Sequence, residues 1–236
     1  MTGSQARVDA ALLAQVLALV GTQTDEVTVT PSDDGWSLIA RSADLVTMTS
    51  VRICTPAITT SIGAPFAIGI PAWQQALRGQ GEAVIDVSSG RAVVTVGEVT
   101  STLPLYPDTT PPREPQLDLP AGAYVPVSSV RRLVDVTDPK GPVGYRFSIG
   151  PSGLTIASHD EAGMGTAVRV PEDVCVPEGA AQAVYPWKPW AAFVKALPRD
   201  TVLHVTMASD YPLRVDVDLA DGVTAWWMVA PFIESE

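Results

Sequence analysis

Near the C-terminus Leu213, Val215, Val217 and Leu219 alternate with Arg214, Asp216 and Asp218, the period-two pattern of a half-buried strand. Asp221-Gly222 supplies a turn, since this pair readily takes positive φ. Val223 to Val229 reads as the returning strand, stopped at Ala230-Pro231 because proline cannot donate to a ladder. Upstream, 7–20 is rich in strong helix formers and meets Gly21 where a helix cap belongs. Residues 71–79 form a short helix with Pro71 in its first turn. Between and after these lie strand patterns at 27–30, 36–40, 45–54, 83–87, 92–96 and 99–105.

The second half repeats this order: a helix at 127–137, strands at 145–149, 154–158 and 166–170, a helix over 185–199, then strands at 202–207, 213–219 and 223–229. Thr49-Ser50-Val51-Arg52-Ile53 matches Thr166-Ala167-Val168-Arg169-Val170 at a shift of 117, and Ile70-Pro71 matches Tyr185-Pro186 at a shift of 115. A near-constant shift close to half the length means one unit written twice. Between the halves, the stretch 104–120 holds six prolines, which force extended backbone and mark a linker. The chain therefore reads as α+β, with an N-terminal subdomain at 1–105, a connector at 106–120 and a C-terminal subdomain at 121–236.

Two separate stretches carry a resemblance. Ser209-Asp210-Tyr211-Pro212-Leu213, the Asp-Gly hairpin and the closing Ala230-Pro231-Phe232-Ile233-Glu234 resemble the end of the proliferating cell nuclear antigen (PCNA) family of DNA sliding clamps. Glu114-Pro115-Gln116-Leu117-Asp118-Leu119 resembles the end of the interdomain connector in archaeal clamps, and the helix running through Phe193-Val194-Lys195-Ala196-Leu197 is a third match. The first seventy or so residues match mainly in element order. The resemblance implies two similar halves, each with two helices on antiparallel sheets, and a homotrimeric ring around duplex DNA.

Charge bears on that expectation. The chain is acidic at −11, which by itself argues against DNA. The four helical stretches nonetheless carry Arg7, Arg78, Arg131, Arg132, Lys188, Lys195 and Arg199 against only Asp9 and Asp135. Positive charge on helices and negative charge elsewhere suits a ring that tolerates phosphates without reading sequence. The plain alternative is that lysine and arginine are good helix formers on solvated faces. The resemblance puts Arg78, Arg132, Lys188 and Lys195 on positions that are basic in the family, and with the charge pattern all seven residues are read as DNA-facing. Two departures point to a weak inner field: the first helix has no basic residue past Arg7, and Asp135 stands where the family often has a base.

The resemblance also assigns a groove for partner tails bearing a glutamine-and-aromatic motif (the PIP box) to Leu45, Val46, Leu117, Pro212, Met228, Ala230, Pro231 and Ile233. Such a groove takes apolar anchors on a helical turn. Ring closure would pair Val99, Ser101, Leu103 and Leu105 of one subunit with Thr166, Val168 and Val170 of the next, a heterologous contact. Implied partners are double-stranded DNA, further copies of the chain, a DNA polymerase, an ATP-dependent clamp loader and PIP-box proteins such as a nuclease or ligase. Rivals from the residues alone are a monomeric processivity factor of the same fold and a β-rich viral structural protein.

No chemistry of its own is expected. His159-Asp160-Glu161 is the one catalytic-looking cluster, and a single histidine beside two acids makes neither a triad nor a metal site. Cys54 and Cys175 cannot build a disulfide framework. No phosphate-cradling glycine motif occurs, so no cofactor is expected. The absence of a spanning apolar run and of a leader pattern predicts a cytoplasmic protein, at a nucleoid or a viral replication site in a host cell, with no membrane partner.

Overall fold

Asp9 ends a strand and starts a helix: its backbone is extended and its carboxylate accepts from the Leu12 amide at 2.8 Å. That cap satisfies one of the donors a helix start leaves orphaned. The same logic recurs throughout the chain, where each helix follows directly on a strand. The computed structural model describes residues 4–60, 63–88, 90–106, 110–136, 144–159, 167–170 and 177–232.

The chain divides into two units, Met1–Glu114 with Ala220–Ala225, and Pro115–Leu219 with Trp226–Glu236. In the first, β1 (Ser4–Asp9) leads into α1 (Ala10–Val20), followed by β2 (Glu26–Ser32), β3 (Gly35–Arg41), β4 (Thr47–Cys54), β5 (Ile58–Thr60) and β6 (Phe66–Gly69). Then come α2 (Ile70–Ala76), β7 (Glu82–Ser88), β8 (Arg91–Val96) and β9 (Val99–Pro104). One antiparallel sheet runs β5-β1-β7-β8-β9, and β6-β2-β3-β4 are hydrogen-bonded neighbours in another. Ala10, Leu13, Leu17 and Val20 of α1 and Ile70 and Trp73 of α2 are buried with Val29, Trp36, Leu38 and Ile53 of the strands.

The second unit starts with β10 (Ala121–Pro126), α3 (Val127–Val136), β11 (Gly144–Gly150), β12 (Gly153–His159), β13 (Ala167–Val170) and β14 (Pro177–Glu178). It continues with β15 (Ala181–Pro186), α4 (Trp187–Ala196), β16 (Val202–Met207), β17 (Leu213–Ala220), whose last residue counts with the first unit, and β18 (Val223–Val229), which belongs to the second unit from Trp226 on. Its sheets order as β13-β12-β11-β15 and β14-β10-β16-β17-β18. The core is aromatic: Trp190 meets Phe147 edge-on at 5.0 Å, and Phe193 stacks on Trp227 at 4.8 Å.

The internal repeat is sharper than the sequence suggests. Helix starts move from 10 to 127 and from 70 to 187, a shift of 117 both times. At the same shift Trp73 falls on Trp190, each at 1% exposure. Both have an indole N–H without a partner among the described residues. The proline match at a shift of 115 is corrected by two residues, because Pro71 lies inside its helix whereas Pro186 precedes α4 as N-cap.

Two boundaries differ from the sequence reading in ways that matter for function. The helix expected over 7–20 begins at Ala10, and the helix expected over 185–199 occupies Trp187–Ala196 with Tyr185 and Pro186 in the preceding strand. Residues 110–120 carry neither helix nor strand, in keeping with their prolines.

Candidate nucleic-acid interface

On α4 the buried positions Trp187, Trp190, Phe193 and Val194 leave Lys188 and Lys195 exposed, seven residues apart and so on one face. On α3, Val130, Leu133 and Val134 are buried while Ser128, Arg132 and Asp135 are exposed. A depression of about 250 Å³ beside α3 is lined by Ser128, Arg131, Arg132, Asp135 and Arg199. Among the described residues neither Arg132, Arg199, Lys188 nor Lys195 makes an ion pair, so four cations stand open to solvent in this unit.

Arg131 is different. Its guanidinium donates to the Leu197 carbonyl at 3.3 Å and to the Lys195 carbonyl, so it ties α3 to the C-terminal end of α4. A cation there satisfies orphan carbonyls and complements the helix dipole. It thereby holds the two helices in register.

The first unit departs from the expected charge pattern. Arg7 is on strand β1, not on a helix, and pairs with Glu82 at 3.0 Å. Asp9 is a cap rather than an interior helix residue. Helices α1 and α2, with sequences AALLAQVLALV and IPAWQQA, contain no charged residue. Arg78 lies exposed two residues past the end of α2. The basic helix faces are thus confined to the second unit.

The residues assigned to partners fall as follows. Leu45 is 62% exposed and takes a left-handed φ of 62°. Its loop is held by Asp44, whose carboxylate accepts from the Ser42 hydroxyl and the Val46 amide. These bonds, the Ser42 one foremost, lower the Asp44 pKa. They therefore hold the loop above the ordinary carboxylate range and are lost only as pH falls through the lowered value. Val46, Leu117, Pro212, Ala230 and Pro231 are half-buried, and Ile233 lies outside the described residues. Met228 is buried at 5% exposure, so its thioether offers little open surface. Sequence reasoning passed over Phe232, which is 41% exposed beside Pro231 and donates its amide to the Val184 carbonyl at 2.8 Å. Gly144 makes room for its ring, since a Cβ there would meet it at 3.1 Å.

Strand β9 is the last of its sheet and β13 the last of its own. Val99 projects outward at 61% exposure and Ser101 is half-buried, while Leu103 and Leu105 point into the core. Leu105 lies just past β9, its amide bonded to Gly90. In β13 Val168 is half-buried and Val170 buried, and Thr166 lies outside the described residues. His159 ends β12, whereas Asp160, Glu161 and Cys175 lie outside the described residues. Among the described residues no three His, Cys, Asp or Glu side chains gather into a metal-binding group, and no helix is long and apolar enough to cross a membrane.

No family model matches the chain. It is 25% identical over 245 residues to a DNA polymerase sliding clamp of Methanothrix thermoacetophila, covering 98% of this chain and 99% of that one. A second clamp, from Methanosarcina mazei, is 24% identical over 159 residues, 64% of each chain. Among solved structures, A. fulgidus PCNA with the C-terminal region of FEN-1 bound superposes with a TM-score of 0.89 at 18% identity, over 99% of this chain and 100% of that one. PCNA from Thermococcus kodakaraensis superposes with a TM-score of 0.85 at 16% identity, over 98% and 100%. The fold is that of a DNA sliding clamp. Over nearly its whole length the chain is also similar in sequence to a DNA polymerase sliding clamp, at 25% identity.

Proposed function

We propose that this protein is a DNA polymerase sliding clamp that works as a closed homotrimer around duplex DNA. The observation that carries this reading is the twofold repeat, in which each unit presents a helix pair and the sheets end on free strands β9 and β13. Pairing β9 of one copy with β13 of the next is head-to-tail and closes only at a fixed rotation. Arg132, Lys188, Lys195 and Arg199 face phosphates, with Arg78 a weaker contributor.

Retention on DNA is topological, so the complex lasts without tight phosphate contacts. The chain itself makes and breaks no covalent bonds. An ATP-dependent loader opens the ring. The polymerase, and PIP-box proteins such as a nuclease or ligase, dock their tails on the apolar residues the resemblance assigns, with Phe232 added. The site of action is the replicating DNA of a cell or of a virus within its host.

A linear duplex with removable end blocks tests this. Protein threaded on before blocking is expected to stay through a high-salt wash and to leave once the DNA is cut. A monomeric clasp or a structural protein would show retention that ignores the ends and falls with salt.

A further inference from the structure

The solvent face of the β2–β3–β4 sheet holds a cavity of about 510 Å³ whose lining includes Thr30, Ser32, Asp34, Ser37, Arg52 and Cys54. Register explains how it arises. Thr30 lies opposite Ser37 and Ser37 opposite Arg52, so their side chains form one row across three strands about 4.8 Å apart. The next row is Ser32, Gly35 and Cys54, and its middle member has no side chain. Gly35 takes φ +143°, and a Cβ there would sit 1.9 Å from the Ile53 carbonyl oxygen, so the gap is built into the backbone.

The internal repeat provides a comparison within one chain. Arg169 occupies the position of Arg52 in the second unit, opposite Thr155 where Arg52 is opposite Ser37. Arg169 donates to the Ser152 carbonyl at 3.3 Å and so ties down the neighbouring turn. The Arg52 side chain makes no hydrogen bond or ion pair among the described residues. The turn carboxylate Asp34 lines the first unit's concavity at the place where the second unit has Ser152, whose carbonyl Arg169 holds. Ser32 is bonded to Gly35, but the Thr30 and Ser37 hydroxyls have no partner among the described residues.

An open guanidinium beside two hydroxyl donors suits a phosphate monoester, which arginine grips bidentately. The cavity is far larger than a bare ion and falls in the range of about 300–1,000 Å³ usual for small-molecule sites. Asp34 can accept hydrogen bonds from hydroxyl groups on the carbon skeleton but repels a second anion. We infer that this cavity binds a phosphorylated, hydroxyl-rich small molecule of the sugar-phosphate class, with Arg52, Thr30 and Ser37 on the phosphate and Asp34 on the hydroxyls. This site is separate from the helix cations and does not depend on ring formation.

The test uses the full chain and three probes, ribose 5-phosphate, inorganic phosphate and ribose, followed by calorimetry. Alkylation of Cys54 in a Cys175→Ser background gives a second readout, since an occupant covers that thiol. Ribose 5-phosphate is expected to bind saturably, more tightly than phosphate or ribose, and to slow Cys54 alkylation. Arg52→Gln should weaken it at least tenfold, with Arg52→Lys restoring part of the loss. Asp34→Asn should weaken ribose 5-phosphate and leave inorganic phosphate unchanged or tighter. Equal binding by wild type and Arg52→Gln, or no saturable binding, overturns the site. Phosphate binding as tightly as ribose 5-phosphate overturns the sugar assignment. Arg52→Gln should still be retained on end-blocked DNA, so failure here is distinct from failure of the clamp reading.

Discussion

Exchanging Arg132, Lys188 and Lys195 together for glutamine is expected to flatten the salt dependence of duplex-DNA binding by about 2.7 log units per log unit of salt, at roughly 0.9 for each phosphate no longer neutralised. All three are exposed and free of ion pairs among the described residues, so glutamine removes charge without leaving a buried partner stranded. Fluorescence anisotropy on a labelled duplex at several salt concentrations gives the slope directly. The first unit supplies the complementary experiment. Ala11 and Ala18 are exposed on the uncharged α1. Lysine at both should steepen the slope by up to about 1.8 if that helix also faces DNA. A triple variant with the wild-type slope would remove the second unit's helices from the interface.

Trp190→Ala is expected to cost about 3–5 kcal/mol, the range for truncating a large buried aromatic. That is a large share of the roughly 5–15 kcal/mol typical of a whole domain. Trp190 is 1% exposed and touches Phe147, Phe193 and Trp227 at ring-centroid distances of 5.0, 6.4 and 5.9 Å. Trp190→Phe should cost much less, because it keeps an aromatic body and deletes an indole N–H that has no partner among the described residues. Urea unfolding followed by near-ultraviolet circular dichroism reads both. A Trp190→Ala midpoint equal to that of Trp190→Phe would mean the pocket collapses on the smaller side chain and the packing described is not what stabilises the unit.

Much of the fold is legible in the sequence wherever one element has one period. The terminal hairpin, expected at 213–219 and 223–229, is found at Leu213–Ala220 and Val223–Val229. What escaped are the strands that run straight into helices. Ala121 and Ala123 in β10, and Ala181 and Ala183 in β15, line the core with a residue that favours helix and is depleted in strands. Pairing with neighbouring strands overrides that preference. The same blurring carried Arg7 onto a helix in the sequence reading, although it is spent on Glu82 across a strand pair.

The candidate interface was half legible. Lys188 and Lys195 come from the resemblance and the helix charge count, and the structure puts both on one exposed face of α4. The fate of Arg131 does not, because its acceptors Lys195 and Leu197 lie 64 and 66 positions away and only the packing of α3 on α4 brings them near. The cavity beside Arg52 was equally hidden. The repeat flagged Arg52 and Arg169 as equivalent, yet their different environments depend on backbone geometry at Gly35.

Molar mass in solution, by light scattering coupled to size-exclusion chromatography, tests the central claim most directly. A closed homotrimer of a 24.9 kDa chain is expected to elute at about three times that mass, independent of dilution through the low-micromolar range. A single species at 24.9 kDa across that range would contradict it.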